Sequence, residues 1–81
     1  MVNNEARAAQ AKRLLDDPLL VEVLDQIEAA AVTVWRSTAA ADTDARERAY
    51  YTIKASERVR NTLQGIVDNG LIEARRASAG R

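Results

Sequence analysis

Residues 18–37 read PLLVEVLDQIEAAAVTVWRS, and this stretch decides the fold. Leu20, Leu24, Ile27, Ala31 and Val34 recur at alternating steps of four and three. That spacing draws one apolar stripe along a helix. Val21, Val32 and Trp35 form a second apolar row beside it, while Glu22, Asp25 and Glu28 make a polar face. The resulting apolar arc is wider than one partner helix covers. The expectation is therefore a helix contacted from two sides, by its hairpin partner and by something else.

Working outward, Asp16-Asp17-Pro18 marks where this helix begins. Proline disfavours helical geometry in the residue before it, suits the first helical position and has no N–H to leave unpaired. Asp17 is then the natural N-cap. Two adjacent aspartates also suit a metal ion by type, but capping accounts for them more simply. Upstream, residues 3–15 read as a short first helix. Asn3 or Asn4 caps it, and Ala8, Ala11 and Leu15 share a face with Leu14 alongside.

Downstream, residues 39–44 read AAADTD and form a turn. Asp44 followed by Glu47 resembles a capping box, with Asp42 and Thr43 as alternative starts. From Ala45 to about Asn69, the residues Ala49, Ile53, Ser56, Val59, Leu63, Ile66 and Val67 follow the helical period. Asn69-Gly70 reads as the stop, because glycine tolerates the left-handed geometry that ends many helices. Leu71 and Ile72 are then expected to fold back, with the remainder of residues 71–81 a mostly mobile tail. The expected fold is all-α: an antiparallel helical hairpin, about 18–38 and 45–69, preceded by a helix at about 3–15. All of 1–81 is expected to form one small domain, with 1–17 as helix and kink and 18–70 as hairpin.

Eighty-one residues make at best a thin core. There is no cysteine and no histidine, so neither a disulfide nor an ordinary zinc site can reinforce it. Self-association, or docking on a larger partner, is the remaining means of stabilisation. Net charge is zero overall, with −4 on residues 1–44 and +4 on residues 45–81. The two halves can therefore attract each other within or between chains. No apolar run reaches the roughly 18 residues of a membrane span, and the N-terminus lacks a signal-peptide core, so the expected setting is a cytoplasm.

Catalytic chemistry has little to work with. Nucleophile–base pairs usually need a histidine, the carboxylates sit on a helical surface or at a cap, and no glycine-rich phosphate loop is present. The expectation is no enzyme, no cofactor, no metal and no small-molecule substrate. Arg46, Lys54 and Arg58, with Tyr50 and Tyr51 among them and Arg75 and Arg76 following, are candidate nucleic-acid contacts. The interleaved Glu47 and Glu57 favour pairing along the helix instead. Val21, Val32, Trp35, Tyr50 and Tyr51 are the candidate partner or oligomer contacts. Trp and Tyr are enriched at binding hot spots, and adjacent tyrosines cannot both enter one core.

The order AKRLLDDPLL at 11–20, VW at 34–35, ARERAYYTIKASERVRNTL at 45–63 and a closing glycine at 70 resembles small all-helical proteins of tailed bacteriophages, of the head-assembly and packaging kind. The resemblance covers roughly residues 8–72. The hairpin also resembles the oligomerisation core of small terminase subunits, without the helix-turn-helix that reads DNA in those proteins. The resemblance implies a virion-assembly or DNA-packaging accessory acting as an oligomer, virion-associated or in the host cytoplasm, with no catalytic residues. An inhibitory or regulatory binder of a host protein, of antitoxin or anti-defence type, is the second reading. A nucleic-acid-binding accessory is the third.

Overall fold

A computed structural model describes residues 4–79. It contains three helices: α1 (Asn4–Leu15), α2 (Pro18–Ser37) and α3 (Thr43–Ala79). Among the described residues there is no strand. The chain is all-α, as expected. α1 and α2 follow one another along a rod of 61 × 23 × 20 Å and both pack on α3. α1 covers the C-terminal half of α3, α2 covers the N-terminal half, and α1 and α2 barely touch.

Local chemistry sets the breaks. Asp17 is the N-cap of α2, with φ −69° and ψ 117°. Its Oδ1 accepts the N–H of Leu19 at 2.9 Å and of Leu20 at 3.0 Å, satisfying two donors that a helix start leaves free. At the second turn Asp42 is the cap, its Oδ1 accepting from the Ala45 N–H at 3.2 Å. Asp44 and Glu47 therefore do not form the capping box expected of them. Of the two candidate caps for α1, Asn3 lies outside the described residues and Asn4 is the first residue of the helix.

The seam follows a heptad pattern. Along α3 the covered positions are Arg46, Ala49, Ile53, Ser56, Arg60, Leu63, Val67, Gly70 and Ala74, at alternating steps of three and four, with Ala45, Gly65 and Ile66 at the margin. α2 answers with Val21, Leu24, Glu28 and Ala31, and α1 with Asn4, Ala8, Ala11 and Leu15. Steps of this kind keep two helices in contact over many turns. The seam positions of α1 and α2 fall out of phase across Asp16–Pro18, so the first arm of the hairpin breaks there while α3 runs on unbroken.

The helix expected to end at Asn69 continues to Ala79. The reason is Gly70. It has no positive φ and sits inside the helix. A Cβ there would overlap the Ala8 Cβ and come within 3.0 Å of the Asn4 carbonyl oxygen. Glycine is used for its missing side chain, which lets α1 lie close against α3, and its capacity for left-handed geometry is not needed. The turn expected to send Leu71 back toward Ile66 is absent, and residues 71–79 belong to the helix rather than to a loose tail.

Two glycine substitutions separate these roles. A Cβ added at Gly65 would meet nothing within 4 Å. Gly65→Ala should therefore stabilise the chain by about 0.5–1 kcal/mol through lower unfolded-state entropy. Gly70→Ala should instead destabilise it by about 1–3 kcal/mol by pushing α1 away, despite alanine's better helix propensity. Urea denaturation followed by circular dichroism reads both.

Candidate interaction surface

A rod only two helices thick leaves little to bury. Ala11, Leu24, Ala31 and Ala49 form the buried apolar core, and among the described residues no side chain is completely enclosed. Leu24 is the only large residue of the four. Exposed large apolar residues are numerous by comparison: Leu14, Leu19, Val23, Ile27, Val34, Trp35, Tyr50, Tyr51, Val59, Leu71 and Ile72. Some of them, Ile27, Val34 and Val59 among them, lie to one side of a seam that contains a polar knot.

Glu28 lies in the seam between α2 and α3. Its Oε1 accepts a hydrogen bond from Ser56 Oγ at 2.8 Å. Arg60, also in the seam, donates from Nη2 to Asp25 Oδ1 at 2.8 Å and places Nε 3.3 Å from Glu28 Oε1. That second approach falls outside hydrogen-bond geometry, leaving the buried Nε–H held by charge alone. Together these contacts draw α3 over the flank of α2 that carries Asp25 and Val32.

The opposite flank is only partly covered: Ile27, Val34 and Val59 are exposed, while Leu20, Ala45 and Ile66 are half-buried. Leu20, Ile27 and Val34 recur every seven residues along α2, with Val23 and Ala30 next to them. Ala45, Thr52, Val59 and Ile66 do the same along α3. An open groove of about 410 Å³ runs between these rows, lined by Ile27, Ala30, Ala31, Val34, Ala45, Arg48, Ala49 and Thr52. On the same side, Leu14 of α1 meets Leu63 and Ile66. The charged side is different in kind. It carries the ion pairs Lys12–Asp16 at 3.0 Å, Lys54–Glu57 at 3.3 Å and Arg60–Asp25. Gln64 also donates to Asp68 there, at 3.0 Å.

The residues expected to mediate association divide accordingly. Val21 and Val32 are half-buried in or beside the seam. Ile27 and Val34, expected in the core stripe, are 41 % and 47 % exposed. The exposed apolar row thus lies on the other flank of α2 from the one read out of the sequence. Trp35 at the end of α2 and Tyr50 and Tyr51 near the start of α3 all remain exposed. Arg46 stacks over the Trp35 ring at 4.8 Å, and the two tyrosine rings meet edge to face at 5.7 Å.

The candidate nucleic-acid contacts are not gathered into one patch. Arg46 is engaged with Trp35, and Lys54 with Glu57 and the Tyr50 ring at 5.5 Å. Arg58 is exposed on the outer face of α3, while Arg75 and Arg76 lie several turns further along. Among the described residues, no group of three or more acidic side chains is placed to hold a metal ion. No described helix is long and apolar enough to cross a membrane. The grooves are open and lined mainly by aliphatic side chains, without a convergent set of polar groups to orient a small molecule.

Sequence recurrence every seven residues on Leu20, Ile27 and Val34, and again on Ala45, Thr52, Val59 and Ile66, is the signal that would have located the uncovered side. Comparison of the chain with protein-family models, with curated proteins and with solved structures returned no match.

The seam knot and the surface pairs should respond differently to mutation. Arg60→Ala strands Glu28 between two helices and should cost about 1–2 kcal/mol. Lys54→Ala removes a solvent-exposed pair and should cost no more than about 0.5 kcal/mol. Chemical denaturation of both variants under the same conditions checks the ranking.

Proposed function

We propose that the chain is a non-enzymatic assembly protein that works by helix-mediated self-association. The observation supporting this reading is the ratio of covered to uncovered apolar surface. Among the described residues, eleven large apolar side chains are exposed and none is completely enclosed. The accessible surface is 6307 Å². A compact monomer of 8.9 kDa exposes about 4,800 Å², so this chain carries roughly 1,500 Å² in excess. Its radius of gyration, 17.7 Å, compares with about 12 Å for a compact domain of this length. Large apolar side chains left exposed in this number on an elongated chain suit an interaction surface.

The setting we propose is virion head assembly or DNA packaging in a tailed bacteriophage. Its support is the order of features between residues 8 and 72, which resembles small helical proteins of those gene clusters. A rod with one apolar side suits repeated association, which such assemblies require. The exposed Trp35, Tyr50 and Tyr51 toward the closed end supply further contacts suited to a larger protein of the same assembly.

Sedimentation velocity of the full chain, from low micromolar to several hundred micromolar, tests the reading. The expected result is a mass that rises to a multiple of 8.9 kDa. A mass that stays at 8.9 kDa throughout would overturn it. Capsid, portal or terminase genes beside the coding sequence are the expected genomic context, and a neighbourhood without any virion genes would overturn the viral setting.

A further inference from the structure

The two breaks in the chain are built differently. At residues 16–18 a proline opposes a continuous helix, and the seams of α1 and α2 are out of phase across it. The turn between α2 and α3, residues 38–42, contains no glycine and no proline. Ala39, Ala40 and Ala41 form most of it, alanine being the best helix former, and none of its residues has positive φ. Its hydrogen bonds are local. The Asp42 N–H donates to the Ala39 carbonyl at 2.9 Å, and Asp42 Oδ1 caps α3.

The seams are also in phase across this turn. Val21 and Glu28 of α2, with Ala49, Ser56, Leu63 and Gly70 of α3, all fall on one seven-residue repeat. The two members missing between them are Trp35 and Asp42. Leu24 and Arg60, both seam residues, are separated by about ten helical turns, so on an unbroken helix they share a face. A hairpin has no need of this coincidence, because its turn re-aims the chain. A single helix running from α2 into α3 requires it if both halves are to meet one antiparallel neighbour.

We propose that residues 38–42 are a hinge through which two copies of this chain exchange arms. In the exchanged dimer α2 and α3 of each copy form one long helix, and α1 and α2 of each copy pack on α3 of the other. This rests on the self-association reading above and specifies how association occurs.

The contact pattern permits the exchange. α1 and α2 both pack on α3 and barely touch each other, so the seam contacts lie between the two arms and are remade between chains without change. Ser56 then donates to the partner's Glu28, and Arg60 reaches the partner's Asp25. Association entropy opposes the dimer, while new helical hydrogen bonds through the former turn favour it. Exchange of identical elements is a low-cost route to a dimer for this reason.

The same register locates the two-fold axis. The contacts Glu28–Ser56 and Trp35–Arg46 have their midpoints within residues 40–42. The member of the seven-residue repeat at that point is Asp42, so on the axis the two Asp42 carboxylates approach each other. Asp42 thus opposes exchange twice. It caps α3 only in the closed hairpin, and it repels its own copy in the open dimer. Asp42 is the latch that keeps the chain closed at low concentration.

Light scattering after gel filtration, with small-angle X-ray scattering and circular dichroism, provides the test on the full chain. The exchanged dimer should have twice the mass of 8.9 kDa and a maximum dimension about twice the 61 Å of the closed rod, with helicity no lower than in the monomer. Asp42→Ala should tighten dimerisation at least about tenfold. Ala40 is the second residue of the turn closed by the Ala39–Asp42 hydrogen bond, a position that suits proline, whereas proline inside a helix is strongly unfavourable. Ala40→Pro should therefore keep the helicity of the hairpin and weaken dimerisation by about a hundredfold or more.

Dimerisation that survives Ala40→Pro, or a dimer no longer than the 61 Å rod, would overturn the exchange while leaving self-association standing. Dimerisation unchanged by Asp42→Ala would overturn the latch. A wild-type chain that is monomeric at all concentrations would overturn both the inference and the reading on which it rests.

Discussion

Arg60 is the residue on which the arrangement turns. It occupies a seam position that helical pairs normally fill with aliphatic side chains, yet it carries a charge and reaches Asp25 and Glu28 across the interface. A half-buried charge is tolerated only with partners, and here they are Glu28 in the seam and Asp25 on one flank of α2. The requirement to satisfy Arg60 therefore fixes more than register. It decides which side of α2 is covered by α3 and which apolar row remains outside. Ser56, buried and donating to Glu28, tightens the same choice.

The second governing constraint is thickness. Two helices in contact share one line of side chains, and residues just off that line meet only one neighbour. This is why the buried set is mostly alanine and why Leu24 alone among the larger residues is well covered. Small residues on α1 and Gly70 on α3 bring the backbones together at the open end, where dispersion contacts between close helices take the place of large apolar side chains. Such a chain is stable as a rod only to the extent that its outer apolar rows find something to cover them.

Much of the architecture is legible in the sequence. The all-α class, the hairpin, the break before Pro18 and the capping role of Asp17 all follow from local chemistry that is written into neighbouring residues. Three features are not legible there, each for a physical reason. Gly70 has two uses, and choosing between them requires knowing that Ala8 lies opposite. Asp42 and Asp44 are both competent caps, and the choice between them depends on where the turn leaves the chain. The side of α2 that stays exposed depends on Arg60 and Glu28, far apart in sequence and neighbours only after folding. Trp35, Tyr50 and Tyr51 carry the exposure expected of candidate contacts. On α2 the exposed row is that of Ile27 and Val34 rather than Val21 and Val32.

The break at Asp16–Pro18 has a mechanical consequence. α1 and α2 each fasten a different half of α3 and share almost no contact with one another. The rod is therefore two short helical pairs in series, joined through a single continuous backbone. Opening the α1 segment removes the cover from one half of α3 and leaves the other pair intact. Amide protection is then expected to be graded along α3, highest beside Leu24 and Ala31 and lower beyond Val67, so that the chain loses order from its open end inward instead of in one step.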